Sequence, residues 1–305
     1  MAEELAVRLG GEIVSADSMQ VYRGMDIGTA KPPPNERRVP YHLIDVVDPG
    51  TPFSAALYQQ LAREAIDDVW RRGHVPILCG GTGLYVRAAL DDMQFPSGEQ
   101  ASRTREALEA LALELGPDAL HERLREIDPE SAALIHPHNV RRTIRALEMA
   151  EEGASYAHQA AGFTQRAAFY STAHIGLDMP RERLYERIDG RVDVMIAAGL
   201  LDEVRRLLDE GFRDALTAAQ AIGYKEFVPV IEQGVRLEDA VAAVKQATRR
   251  YAKRQLTWFR ADPRVQWIDL ADARLLKHDG ETSWPDAAQA ALTLIHWMEP
   301  GLSGS

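Results

Sequence analysis

The sequence holds one cysteine, Cys79, which excludes an intrachain disulfide and any CxxC metal or redox pair. Reducing surroundings and a cytoplasmic location are the expectation. No uncharged run approaches the ~18 residues needed to span a bilayer, and the N-terminal stretch lacks the compact apolar core of a secretory signal, so no membrane partner is expected. Lysine is scarce: there are five (Lys31, Lys225, Lys245, Lys253, Lys277), and none follows a glycine. The phosphate loop GxxxxGK[ST] is therefore absent from the printed sequence. His121-Glu122 opens no HExxH, and His136 and His138 merely flank Pro137, so no residue is assigned as a metal ligand. Without a GxSxG element, acyl transfer has nothing specific to recommend it. Internal repeats and low-complexity segments are also lacking.

What remains is ordinary globular material. The chain has 305 residues, 46% hydrophobic and 27% charged, enough for one large domain or two small ones and unlike a disordered or disulfide-scaffold composition. A net charge of −11 disfavours a nucleic acid held by bulk electrostatics. Distribution matters more than the sum. Six basic side chains (Lys245, Arg249, Arg250, Lys253, Arg254, Arg260) and no acidic one lie between Lys245 and Arg260, a local field able to hold phosphates.

In the N-terminal third, Glu12 to Ala16, Tyr41 to Val46 and Val75 to Cys79 are predicted strands buried on both faces. Between the last two, Leu57, Leu61, Ala65 and Val69 share one helical face behind a candidate N-cap, Ser54. This is βαβ grammar: a parallel sheet covered by helices, hence an α/β fold. Residues 95–165 contain no strand pattern and are expected to form a helical insertion, flanked by an α/β core of 1–94 and 166–305. Strand character returns at Phe169 to Leu177. Helices are predicted at Arg181 to Gly199 and Leu237 to Arg260, a last strand at Val265 to Ile268, and a frayed tail after Pro300.

Ligands in open α/β sheets bind beyond the carboxyl ends of the strands. The first strand delivers Asp17, either a general base or a cap for the following turn. The third runs into Gly80-Gly81-Thr82-Gly83, where backbone N–H groups can approach an anion or a base; a tight strand-to-helix turn would need the same glycines. On the helix after Leu237, Lys245, Arg249, Lys253 and Arg260 share a face opposite Val244, Ala247, Tyr251 and Trp258. With no acidic residue between Lys245 and Arg260, phosphate contacts by Arg249, Arg250 and Lys253 compete with a merely solvated face. In the insertion, Val140, Ile144 and Leu147 form a packing stripe. Arg141, Arg142 and Arg145 point elsewhere, with an Arg145–Glu148 surface pair as the plain alternative.

The order of segments is more specific than any one of them. Ser15 to Tyr22 (SADSMQVY), Gly24 to Pro32 (GMDIGTAKP), His42 to Pro49 (HLIDVVDP), Gly80 to Tyr85 (GGTGLY), Arg142 to Glu148 (RTIRALE), Gln220 to Glu226 (QAIGYKE) and Arg249 to Trp258 resemble, in that order, the bacterial tRNA dimethylallyltransferases. The resemblance covers nearly the whole chain. It implies a P-loop kinase-like core with a helical, tRNA-binding insertion. It also implies transfer of the prenyl group of dimethylallyl diphosphate to N6 of the adenosine adjacent to the anticodon. Asp17 matches the family's general base. Asp17, Ser18, Met19 and Gln20 match a tRNA-contacting segment, as do Thr82, Arg105 (with Arg103 competing for that alignment) and the stretch Arg141, Arg142, Thr143, Ile144, Arg145. The expected partners are the tRNA anticodon stem-loop and dimethylallyl diphosphate, and the expected form is a monomer.

The family opens with a strand and a phosphate loop ahead of the helix that here begins the sequence at Met1 to Leu9. Both are absent from the printed residues, and with them the hydroxyl ligand for Mg²⁺, so Mg²⁺ is expected to be held through the diphosphate. Three readings stay open: an active transferase whose start lies further upstream, a tRNA-binding remnant with little or no transfer, and a transferase acting on free adenine nucleotide. The arginine-bearing insertion counts against the last.

Overall fold

Strand β1 (Gly11–Ser15) is buried at all five residues because it runs down the middle of a parallel sheet of order β2-β1-β3, with β2 at Tyr41–His42 and β3 at Val75–Cys79. The register pairs Ile13 with Tyr41 on one side and with Ile77 on the other. In the computed structural model, which describes residues 1–95, 103–164, 166–277 and 281–298, a second parallel pair joins β4 (His174–Asp178) to β5 (Val265–Asp269). Among the described residues, β3 and β4 each keep one edge without a strand partner.

Helices follow the predicted grammar: α1 (Ala2–Leu9) leads into β1, α2 (Ala55–Arg71) connects β2 to β3, and α3 (Gly83–Leu90) follows β3. The Ser54 hydroxyl accepts the N–H of Leu57 (3.0 Å), the expected cap of α2. After α4 (Arg103–Ile127), α5 (Pro129–Leu134), α6 (Val140–Glu151) and α7 (Tyr156–Thr164) come β4, α8 (Arg181–Ala197), α9 (Leu200–Asp209), α10 (Val228–Gln233), α11 (Leu237–Arg260), β5 and α12 (Trp284–Met298). The tail from Pro300 lies outside the described residues.

Two compact units result. One comprises Met1–Phe53, Gln59–Ala89 and Ser171–Ser305; the other comprises Ser54–Tyr58 and Leu90–Tyr170. The second is wider than the expected 95–165 because an antiparallel bridge, Asp91 to Ala168, closes its ends. Its helices bury Leu108, Leu120, Leu124, Ile135, Ile144 and Leu147 together. Within α4 the chain breaks at Gly116 (φ 83°, ψ 171°), ahead of Pro117, whose ring cannot continue a helix. His121 is buried, with Nε2 at 3.1 and 2.9 Å from the carbonyls of Ala132 and Ile135, a satisfied core histidine.

Three strand expectations need correction. The run from Tyr41 to Val46 is a strand only through His42, because Leu43 (φ 60°) and Asp45 (φ 56°) turn left-handed. Strand β3 is not buried on both faces: Val75 and Cys79 are exposed at its ends. The run from Phe169 yields a strand only from His174, since the N–H groups of Phe169 and Tyr170 turn back to the Leu90 carbonyl.

A buried carboxylate interrupts the apolar strand β1. Glu12 is 4% exposed, and Arg72 grips it through two bonds (2.5 and 2.8 Å) while His42 Nε2 lies 2.6 Å away. An unpaired charge at that depth would cost several kcal/mol, so the clamp is what permits it. The bonds from Arg72 outweigh desolvation and hold the Glu12 carboxyl down at about 2. A depressed carboxyl contributes stability that is present above its unfolded value and lost as pH falls through the folded one. Arg72→Ala should therefore lower the melting temperature by several degrees at pH 7. It should also flatten the acid limb of a thermal-melt series between pH 4.5 and about 2. An unchanged limb would show that Glu12 does not set it.

Candidate active site

The chain leaves β1 at Ser15 and turns sharply. Asp17 Oδ1 accepts the N–H groups of Met19 (2.8 Å) and Gln20 (3.3 Å), so the capping role read from the sequence is realised. That role does not use up the carboxylate: Oδ2 makes no hydrogen bond among the described residues. The cap holds one oxygen still and leaves the other available to a substrate.

The loop after β3 is stitched to this turn. Thr82 Oγ1 accepts the Ser18 N–H (3.1 Å), its hydroxyl donates to Ser18 Oγ (3.3 Å), and its own N–H donates to the Ala16 carbonyl (3.1 Å). Such closeness explains the glycines, since a Cβ on Gly80 would collide with the Ala16 carbonyl and one on Gly83 with the Trp258 indole. Helix α11 lies over the same loop, where Gln255 Nε2 donates to the Gly81 carbonyl (2.9 Å). The glycine loop thus serves close backbone packing, the structural alternative weighed above. Tyr85 is buried there, and burial pushes its phenol up, with Tyr22 and the Asp17 charge adding to the shift.

Arg191 lies within electrostatic range of Asp17. Arg191 of α8 retains exposed surface, yet its guanidinium is desolvated enough to lower its pKa, with the Asp17 charge opposing that shift. It makes no hydrogen bond or ion pair among the described residues. An acid and a desolvated cation at the carboxyl end of a parallel sheet suit chemistry that removes a proton while negative charge develops nearby.

The sequence profile of the IPP transferase family matches residues 20–262. The chain belongs to that family. It is 53% identical to the tRNA dimethylallyltransferase of Geobacillus thermodenitrificans over 270 residues, 88% of this chain and 85% of that one. Its structure is similar to that of a tRNA isopentenylpyrophosphate transferase from Staphylococcus epidermidis, with a TM-score of 0.66 and 38% identity over 97% of this chain and 94% of that one. A eukaryotic dimethylallyltransferase described as acting on tRNA gives a TM-score of 0.73 at 30% identity, covering 88% of this chain and 69% of that one. The P-loop kinase-like α/β fold is that of the IPP transferases.

Other residues carried over from the IPP transferases fare unevenly. Gln20 spends its amide inside the protein: Oε1 accepts the Ser15 hydroxyl (2.8 Å) and Nε2 donates to the Thr29 carbonyl (3.1 Å). Thr143 is fully buried, with Oγ1 donating to the Asn139 carbonyl (3.2 Å), and Ile144 lies in the helical core. Both side chains are thereby withdrawn from RNA. Arg105 makes paired bonds (3.0 and 2.8 Å) to buried Glu148, and Arg145 approaches the same carboxylate at 3.6 Å. The Arg103 side chain is outside the described set. Arg141 and Arg142 are exposed at the start of α6.

The basic face of α11 also needs correction, because acids from elsewhere meet it. Lys245 pairs with Asp193 (2.6 Å), Arg249 with both oxygens of Asp189 (2.8 Å each), and Arg260 with Asp178 (2.6 Å). Arg254 lies 5.4 Å from the Tyr251 ring centre. Exposed Arg250 and Lys253 have no ion pair among the described residues.

Among the described residues no three His, Cys, Asp or Glu side chains are grouped so as to ligate a metal ion. Arg191 was missed by motif reading, although one signal was present. No acid stands three or four residues to either side of it, so no helical pair accounts for it.

Proposed function

We propose that this chain transfers a dimethylallyl group from dimethylallyl diphosphate to N6 of the adenosine adjacent to the anticodon in tRNA. The observation that carries the reading is Asp17, capped through one oxygen and open at the other among the described residues, with the Arg191 cation in electrostatic range. Its relatives are named for that reaction. The N6 lone pair attacks the allylic carbon, the carbon–oxygen bond breaks, and its electron pair leaves with the diphosphate. Asp17 takes the proton that N6 sheds, and Arg191 meets the charge accumulating on the leaving group. The diphosphate is of the kind that generally carries a divalent cation, Mg²⁺ in this reading.

Among the tRNA contacts inferred by resemblance, Ser18, Met19 and Thr82 stand beside Asp17 and Arg141 and Arg142 are exposed, while Arg250 and Lys253, read from the basic run of α11, have no ion pair among the described residues. The helical insertion is read as an RNA-holding unit. No helix among the described residues is long and apolar enough to cross a membrane. The enzyme is taken as a monomer acting in the cytoplasm, where tRNA is modified.

The test incubates the 305-residue chain with dimethylallyl diphosphate, Mg²⁺ and an anticodon stem-loop, and reads the RNA mass. One added dimethylallyl unit on the adenosine is expected. RNA affinity measured across salt concentrations should fall steeply. Each of Arg141→Ala, Arg142→Ala, Arg250→Ala and Lys253→Ala should reduce the slope of log K against log salt by roughly 0.7 to 0.9. Tight binding without transfer would leave the chain a non-catalytic tRNA-binding protein.

A further inference from the structure

The loop from Met25 to Thr29 closes around a carboxylate that enters from α9. Glu203 is 8% exposed. Its oxygens accept the backbone N–H groups of Asp26 (3.1 Å), Ile27 (3.1 and 3.0 Å) and Gly28 (3.4 Å), and the Tyr224 hydroxyl donates to it at 2.6 Å. The same hydroxyl accepts the Gly28 N–H at 3.1 Å. Three successive N–H groups converging on one point form an anion nest, here filled by a side chain of the protein itself. Fit is tight on the far side, where a Cβ on Gly28 would run into the Tyr224 ring. Burial, with Glu203 alongside, raises the phenol above its ordinary range and keeps it a donor.

From this nest a hydrogen-bonded path runs to the reacting carboxylate. Thr29 ends the nested loop, and its carbonyl accepts the Gln20 amide (3.1 Å). The other end of that amide accepts the Ser15 hydroxyl (2.8 Å). Ser15 Oγ in turn accepts the Asp17 N–H (3.4 Å), and Gln20's own N–H donates to Asp17 Oδ1 (3.3 Å). The turn carrying Asp17 is thus braced from behind by a loop that Glu203 and Tyr224 anchor to α9 and the segment after it, with Arg206 of α9 donating to the Gly24 carbonyl (2.7 Å) at its entry. Lys31 strengthens the same loop, its Nζ bonding the Tyr22 carbonyl (2.5 Å), Asp26 (3.0 Å) and Asp45 (2.6 Å).

We infer that Glu203 and Tyr224 are positioning residues for the transfer. By filling the nest at 26–28 they hold Thr29 and Gln20, and so hold the Asp17 carboxylate at the geometry in which it takes the N6 proton. The inference rests on the prenyl-transfer reading above. Displacements of about an ångström at a reacting group cost rate far more than they cost substrate binding. The signature is therefore a fall in kcat with KM preserved.

The test measures kcat, and KM for both substrates, for Glu203→Gln, Tyr224→Phe, Gln20→Ala and the Glu203→Gln/Gln20→Ala double variant, well below each melting temperature. Glu203→Gln should reduce kcat about 10- to 100-fold with either KM within about threefold, and Tyr224→Phe about 3- to 10-fold. Since Glu203 acts through Gln20, adding Gln20→Ala to Glu203→Gln should cost less than Gln20→Ala costs alone. A merely structural carboxylate would lower the melting temperature, leave kcat of the folded enzyme within twofold, and give additive effects; that result overturns the inference. Should Glu203→Gln fail to fold, Tyr224→Phe decides, because it keeps the ring and removes only the hydroxyl. Absence of transfer by the unsubstituted chain would instead count against the prenyl-transfer reading, which keeps the two failures distinct.

Discussion

Asp17→Asn should slow single-turnover prenyl transfer by about 10²- to 10⁴-fold, the range over which a positioned general base accelerates a proton transfer. Asparagine is the informative replacement because its side-chain oxygen can still accept the N–H groups of Met19 and Gln20 that Asp17 Oδ1 accepts. The turn survives, Ser18 keeps its bond to Thr82, and RNA affinity should change little. What is lost is the ability to take a proton from N6 as the new carbon–nitrogen bond forms. Asp17→Ala removes both functions and should add a fall in melting temperature to the same loss of rate. A rate within threefold of the parent in a single-turnover assay, with the RNA saturating, would remove Asp17 from the chemistry and leave it only the cap.

Arg191→Met should reduce kcat for dimethylallyl transfer about 10²- to 10³-fold, the effect of losing one preorganised group that meets charge in the transition state. The melting temperature should hold or rise. Arg191 is exposed and makes no hydrogen bond or ion pair among the described residues, so methionine removes no bond from the folded state. Activity and stability moving in opposite directions is the mark of a functional cation, whereas a structural arginine would lose both together. Arg191→Lys should recover part of the rate, since it restores the charge without the planar fork that engages two oxygens of a diphosphate. If Arg191→Met turns over like the parent, the leaving group is neutralised elsewhere.

These two residues differ in how they could be found. Asp17 was legible because its signal is local: a strand pattern ending in a carboxylate, within a motif of known order. Helices α2 and α11 and strand β3 were legible for the same reason, their periodicities spanning contiguous residues. Arg191 carried only a weak signal, the lack of a helical acid neighbour. Its meaning depends on Asp17, far away in the sequence.

The rest was settled by partners that spacing cannot reveal. A basic run without internal acids looked ready for phosphates, but Asp189 and Asp193 of α8 and Asp178 of β4 neutralise half of it. Arg105 is clamped on Glu148, a partner 43 residues away in the sequence. Thr143 and Ile144 lie between exposed arginines in the sequence, yet helical geometry turns them into the core. Glu203 gave no sign at all, because a backbone nest exists only once Asp26, Ile27 and Gly28 have taken their conformation. Most helices, the central strand, the family and the candidate acid Asp17 were legible in local pattern and motif order. Tertiary structure alone decided which charges remain free and what braces the acid, since ion pairing and burial depend on which distant segments fold against each other.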